Sequence, residues 1–341
     1  MNTTLYLVRH GTTELNERFC YQGQTDIPLS DIGMAQGALL TDYFKEIPID
    51  IGVTSPLKRA RQTLDFILGE RGDKVPIIVA PGIVEMNQGV AEARTLTEID
   101  IMFPTFSRDC VQKPGQAKAP GGETGKAVYE RMRDAVLDIV KKNPGKTIAM
   151  ASHGFSIQTF LNYAKGIPPE EMTEMVLDNV AVSKFTFDET GKITICYIGD
   201  SSHLTPEYTF NYDFEALMKT KLLFLHYPRC GTCRKARKYL DAAGVAYVER
   251  DLVADPLNTI EIEALMAKTD APDKKFFNTS GVLYREQKLK DQIPTMTHEQ
   301  IVEKLAEDGK LVKRPLLVRD DGLCIGFKEK EWDEFIKDLN Q

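Results

Sequence analysis

Long apolar runs are missing from this 341-residue chain, and no stretch approaches the ~18 uninterrupted apolar residues of a membrane span. The run near the start, residues 5–8 (Leu-Tyr-Leu-Val), is too short for the core of a signal peptide, and no basic segment precedes it. The expected setting is therefore the cytoplasm, with no membrane partner. Positive charge is also short: 43 Lys and Arg face 50 Asp and Glu, and the net charge of −7 supplies no basic footprint for nucleic acid. Cysteine is sparse. Six thiols, four of them scattered, fit a reduced state better than a disulfide framework. Internal repeats and low-complexity tracts are absent, as is any ligand spacing that suggests a metal, so neither a metal nor another cofactor is expected.

What is present alternates strand and helix signals. Residues 5–9 read as a buried strand ending at Gly11, and Ser30 can cap a helix to about Phe44. Residues 51–54 read as a second strand. Ser55-Pro56 then offers an N-cap with proline at the first helical position, opening a helix to about Leu68. Val128, Met132, Ala135, Val136 and Ile139 recur at three- and four-residue spacing, Asn143-Pro144-Gly145 stops that helix, and residues 147–151 form another strand. Residues 180–187 and 192–199 flank a turn as a hairpin-like pair. The pattern lapses between Asp200 and Thr220, with a short helix expected near 214–219, and a fresh strand starts at Leu222.

At roughly 150 residues per domain, the length fits two domains. The expected division is 1–204, a linker 205–220, and 221–341. The fold class is α/β: a three-layer, mainly parallel sheet covered on both faces, followed by a smaller α/β domain.

Arg9-His10-Gly11-Thr12 lies where the first strand ends, the end of a parallel sheet at which ligands bind. A neutral imidazole there can attack a phosphoryl group, and neighbouring cations disfavour its protonation. The run 7–13 (Leu-Val-Arg-His-Gly-Thr-Thr) with Asn16 resembles the signature that opens the histidine phosphatases. Further blocks follow in that family's order: 55–63 (Ser-Pro-Leu-Lys-Arg-Ala-Arg-Gln-Thr), 83–89 around Glu85, Pro120-Gly121-Gly122-Glu123-Thr124, Ser152-His153-Gly154, and Asp200-Ser201-Ser202-His203-Leu204. The resemblance, over about residues 3–204, implies a phosphoglycerate-mutase-like fold and a phosphate pocket of Arg9, His10, Arg59 and His153. In it His10 attacks, Glu85 serves as acid and base, a protonated His153 holds a phosphate oxygen, and Asn16 and Gln22 add contacts. Guanidinium forks suit that grip on phosphate oxygens. The implied substrate is a small phosphorylated metabolite. Region 92–112 offers Arg94 and Arg108, with Lys113 and Lys118 beyond, but no adjacent-arginine cluster of the kind expected in a mutase. Hydrolysis is therefore expected over phosphoglycerate-mutase-type transfer, which stands as the alternative.

The second domain opens with a strand at 222–227 and then Pro228-Arg229-Cys230-Gly231-Thr232-Cys233 at the start of a helix. A thiol at a helix N-terminus has its thiolate stabilised, and Arg229 and Arg234 are expected to push the same way. Cys230 is expected to attack and Cys233 to resolve, with a thiol reductant or disulfide as partner. No second cysteine pair follows to complete a zinc site. His226 reads as a packing histidine.

Residues 222–332 resemble the arsenate-reductase-like branch of the thioredoxin fold, which includes the Spx-type regulators. The carriers are residues 227–233, Phe276-Phe277-Asn278-Thr279-Ser280-Gly281, Lys313-Arg314-Pro315-Leu316, and Gly326-Phe327-Lys328 with Glu331-Trp332. The resemblance implies a cis-proline at Pro315 facing Cys230. Of the arginines that hold oxyanion in arsenate reductases, only Arg314 has a clear counterpart. Thiol–disulfide exchange, redox sensing, a non-catalytic regulatory role and arsenate reduction all stay open.

Overall fold

The computed structural model describes residues 2–209 and 220–340; the helix expected near 214–219 lies outside the described residues. The chain divides into two compact units, one of Met1–Thr95 with Thr105–Tyr212, the other of Leu96–Pro104 with Asp213–Gln341.

The first unit is built on six strands: β1 (Thr3–Arg9), β2 (Ile51–Thr54), β3 (Ile77–Val79), β4 (Thr147–Ser152), β5 (Val182–Phe187) and β6 (Ile193–Asp200). Their order is β3-β2-β4-β1-β5-β6. β3, β2, β4 and β1 run parallel, whereas β5 is antiparallel to β1 and β6 to β5. Strand periodicity of two sends alternate side chains to opposite faces. On β1, Leu5 and Leu7 accordingly enter one core with Met132, Val136 and Phe160, while Tyr6 and Val8 enter another with Leu40, Phe44 and Leu64. Two cores, one on each face, make the three-layer architecture.

Helix starts follow local capping chemistry. Ser30 accepts from the Gly33 amide at the head of Asp31–Phe44, and Thr124 caps Gly125–Lys142 in the same way. A Cβ at Gly33 would lie 2.0 Å from the Thr12 carbonyl oxygen, so only glycine lets this helix approach the loop behind His10. One expected cap is displaced. The helix after β2 runs Lys58–Leu68 with Leu57 as N-cap, two residues later than Ser55-Pro56 suggests. The Ser55 hydroxyl instead bonds the His153 ring and accepts from the Leu57 amide.

The second unit holds β7 (Leu223–His226), β8 (Val248–Asp251), β9 (Leu316–Val318) and β10 (Leu323–Ile325), in the order β10-β9-β7-β8. Among the described residues of this unit, only β7 and β8 pair in parallel. Leu222, Phe224 and Leu317 pack with Trp332 on one face; Leu223, Leu225, Leu316 and Val318 pack on the other. That second core also takes Ile101 and Met102 from the helix Leu96–Met102. Glu98 of the same helix meets Arg250 at 3.0 Å, and Arg250 also grips Glu261 at 2.5 Å. All three are buried, so each charge is compensated where water cannot help.

Candidate active sites

Strand register explains why residues far apart in sequence meet in the first unit. β1 and β4 are parallel neighbours with Arg9 opposite Ser152, and β4 and β2 pair with Ala151 opposite Thr54. The next residues, His10, His153 and Ser55, therefore emerge side by side at the C-terminal sheet edge. The His10 and His153 ring centroids are 5.1 Å apart. The His10 amide donates to Ser152 O at 3.0 Å, and the Asn179 side-chain amide donates to His10 O at 2.9 Å.

His10 is fixed in one orientation. Its Nδ1 lies 2.7 Å from the Gly11 carbonyl, which can only accept, so Nδ1 carries the proton and Nε2 keeps its lone pair. Burial, then Arg59, then Arg9 hold the ring well below the ordinary imidazole range. His153 is also pushed well down, by burial first and then by Arg59, His10, Arg131 and Arg9. Burial and nearby cations thus oppose a proton on this ring. Its Nε2 pairs with Ser55 Oγ at 2.7 Å, and its Nδ1 is buried with no protein partner.

Arg59 is fully buried at the head of its helix. Its Nη1 and Nη2 donate to Thr25 O and Gly23 O at 2.8 and 2.7 Å. Burial lowers its pKa to about 10, which still leaves it charged at neutral pH. Arg9 Nη1 donates to the Leu177 carbonyl, and a Cβ at Gly154 would sit 3.4 Å from Arg9 Nε. Both Nε atoms, of Arg9 and Arg59, are buried without a protein acceptor. Buried, unsatisfied donor atoms on two cations beside a neutral imidazole are the signature of a site made for an anion.

Glu85 sits at the N-terminus of the helix Gly154–Ala164, where its carboxylate accepts from the Phe155 and Ser156 amides at 3.1 Å each and from the Met86 amide at 2.9 Å. Arg131 fixes the loop that carries it, donating to the carbonyls of Gly82, Val84 and Glu85 while forking onto Glu123 at 2.9 Å twice. Asn16 and Gln22 are buried together. The Thr13 amide donates to Asn16 Oδ1 at 3.1 Å and the Thr13 hydroxyl to Gln22 Oε1 at 2.9 Å, which leaves the NH₂ ends of both side chains as donors for an anion. Arg61 is exposed and pairs with Asp65. Ser55, Asn179 and Arg131 escaped the reading of the sequence. Ser55 looked like a cap, and Asn179 and Arg131 act through backbone carbonyls, which leave no local motif.

In the second unit Cys230 is the N-cap of the helix Gly231–Ala243, and Cys233 is buried in its first turn. Burial opposes ionisation of Cys230, but hydrogen bonds from Cys233 and the Thr232 amide, with the charge of Arg314, bring its thiol below the ordinary value. Burial pushes the Cys233 thiol up to about 12. Of this pair, expected to attack through Cys230 and resolve through Cys233, Cys230 is thus the thiol more readily ionised. The charge involved differs from expectation: it is Arg314, because Arg234 turns onto the Pro228 and Arg229 carbonyls. Arg314 lies 5.2 Å over the Tyr227 ring, with Nη1 on Lys310 O at 2.9 Å, and lines a cavity of about 530 Å³ with Cys230 and Arg229. The Arg314-Pro315 peptide is cis. His226 stacks on Phe224 and meets Arg237 and Glu249, a packing role. Among the described residues, all six cysteines are free and no cluster of metal-binding side chains occurs. No described helix is long and apolar enough to cross a membrane.

The model of the histidine phosphatase superfamily (branch 1) matches residues 5–197, and that of the ArsC family matches residues 225–335. The uncharacterized protein YusI of Bacillus subtilis is 43% identical over 113 residues, 33% of this chain and 96% of its own. The probable phosphoglycerate mutase GpmB of Escherichia fergusonii is 28% identical over 204 residues, 59% of this chain and 94% of its own. A solved phosphoserine phosphatase from Entamoeba histolytica, in complex with phosphoserine, aligns with a TM-score of 0.52 at 29% identity, covering 60% of this chain and 100% of that one.

Proposed function

Because this chain belongs to the histidine phosphatase superfamily and carries an ArsC-type unit after it, we propose that its first unit hydrolyses a small phosphate monoester and its second exchanges thiols with disulfides. One observation carries the first half: His10 Nδ1 is committed to the Gly11 carbonyl, which frees Nε2 as a nucleophile near the charges of the buried Arg59 and the half-buried Arg9. Nε2 attacks phosphorus in line, the bond to the ester oxygen breaks, and Glu85 gives that oxygen its proton. Glu85 then takes a proton from water as the water oxygen displaces His10 from phosphorus, releasing inorganic phosphate. The incoming dianion favours a proton on His153, which then joins Arg9 and Arg59 on the equatorial oxygens. Asn16 and Gln22 donate to the same anion through their amide groups.

Hydrolysis is favoured over mutase chemistry because residues 92–118 supply Arg94, Arg108, Lys113 and Lys118 singly, without adjacent arginines to clamp a carboxylated phosphate. Phosphate release from a panel of small esters, with His10→Ala as blank, tests this. Interconversion of 3- and 2-phosphoglycerate without phosphate release would transfer the assignment to the mutases.

For the second unit, the lowered Cys230 thiol beside a raised Cys233 supports attack by the first and resolution by the second. Arsenate reduction is the second reading, favoured by Arg314 next to Cys230. Reduction of arsenate by the dithiol form, absent in Arg314→Gln, would establish it. The free thiols fit work in a reducing compartment such as the cytoplasm.

A further inference from the structure

The second unit contains a cavity of about 950 Å³ that exchange at Cys230 does not by itself require. It adjoins the Cys230 pocket, since Lys313, Ile325 and Lys328 line both. Its size lies within the range of roughly 300–1,000 Å³ found for small-molecule sites. Its charge is one-sided. Lys274, Lys275, Lys290 and Lys313 line it, and none of them has a carboxylate partner among the described residues. Lys328 is neutralised by Glu331 at 2.7 Å, which leaves Glu334 as the acidic lining residue set against four ammonium groups. The half-buried Tyr284, backed at 6.2 Å between centroids by the buried ring of Phe277, gives the same cavity an aromatic wall.

Four like charges around one concavity repel each other, and a ligand bearing several negative charges relieves that repulsion. Lysine is a point-charge partner for phosphate, tolerant of geometry where arginine is not. The aromatic wall suits a flat ring, and the shared wall leads to a reactive thiol. We infer that this cavity seats the polyphosphorylated, ring-bearing body of a small thiol or its disulfide, and that the ligand's sulfur reaches Cys230 past Lys313 and Ile325. The inference rests on the reading of Cys230 as an exchanging thiol.

With the symmetrical disulfide of such a ligand, the Cys230 thiolate attacks one sulfur, the ligand S–S bond breaks, and one ligand thiolate departs and is protonated. Cys233 then gives up its proton and attacks Cys230 Sγ, expelling the second ligand thiolate. The ligand disulfide gains two electrons, the protein dithiol loses two, and one Cys230–Cys233 disulfide forms.

The test uses the full chain with coenzyme A as probe. Calorimetry with the reduced protein and reduced coenzyme A should give saturable binding that weakens at least tenfold in the triple variant Lys274→Gln/Lys290→Gln/Lys313→Gln and weakens with added salt. Glutathione, a thiol whose anions are carboxylates, should bind at least tenfold more weakly than coenzyme A. Unchanged affinity in the triple variant, or equal affinity for the two thiols, overturns the site. A wild-type urea-unfolding profile of the fluorescence of Trp332, the single tryptophan and buried in this unit's core, serves as the check on folding, and Lys290→Gln alone, expected to lose about threefold, replaces the triple variant should that check fail. Oxidation of Cys230–Cys233 by 2-hydroxyethyl disulfide is read separately. If that small disulfide leaves the dithiol reduced, the exchange reading fails on its own, while the calorimetry still decides whether the cavity takes the phosphorylated body.

Discussion

The two sites solve the problem of activating a nucleophile in opposite ways. In the first, His10 is buried, its cationic neighbours are the buried Arg59 and the half-buried Arg9, and Arg59 and Glu85 are held in place by backbone carbonyls and amides. The ring is kept neutral by exclusion: burial and cations both oppose a proton. In the second, Cys230 is only half-buried, and its reactive form is the charged one. It draws on the exposed amides of a helix start and on one arginine held over a tyrosine ring. A nucleophile that must be neutral can be walled in. One that must be an anion needs donors, and those are available at a helix terminus open to large partners.

The largest expected effect breaks the comparison at the buried site. His10→Ala should lower phosphate release at least about 10³-fold, since a phosphoryl-accepting nucleophile has no substitute, while oxidation of Cys230–Cys233 continues at the wild-type rate. The reciprocal change, Cys230→Ser, should abolish mixed-disulfide formation, read by mass spectrometry, and spare phosphate release. Cys233→Ser should instead trap the mixed disulfide on Cys230. Loss of both activities in any one of these would deny the units separate chemistries.

Arg131→Met is expected to cost about 10–100-fold in kcat/KM and about 2 kcal/mol in stability, because three loop carbonyls and Glu123 lose their donor together. Urea denaturation with steady-state kinetics measures both. An acid dependence is smaller and has a definite sign. His10 and His153 bind protons less readily when folded than at the ordinary 6.5 of the unfolded chain. Below about pH 6.5 the unfolded state therefore takes up protons that the folded state refuses, and stability falls as pH falls. Urea midpoints at pH 7.5 and 5.5 should show this, and His153→Asn should flatten the difference. The smallest effect belongs to Arg61→Ala, whose exposed pairing with Asp65 should be worth less than ~0.5 kcal/mol and nothing in turnover.

Much of the first site was legible because its residues sit at strand ends. A strand that stops at Arg9-His10-Gly11 and another that stops at Ser152-His153-Gly154 declare themselves by periodicity and glycine, and parallel pairing then brings them together. Ser55 was misread for the same local reason. Serine before proline looks like a cap until a histidine from 98 residues away takes its hydroxyl. Arg131 and Asn179 could not be found that way, because a side chain that serves distant carbonyls obeys no spacing rule. At the thiol site the Cys-x-x-Cys was plain, yet the arginine beside it was assigned by proximity in sequence, and the one that acts lies some eighty residues further on.

The helix Leu96–Met102 has a practical bearing on how the chain can be cut. Its Ile101 and Met102 belong to the core around Leu225 and Leu316, and its Glu98 balances Arg250. A fragment starting at residue 221 would expose an oily socket and keep a guanidinium with part of its counter-charge gone. Severing the polypeptide in the stretch 205–220 would therefore yield a carboxyl-terminal piece prone to stick to itself, and supplying residues 96–104 as a separate peptide should restore its solubility.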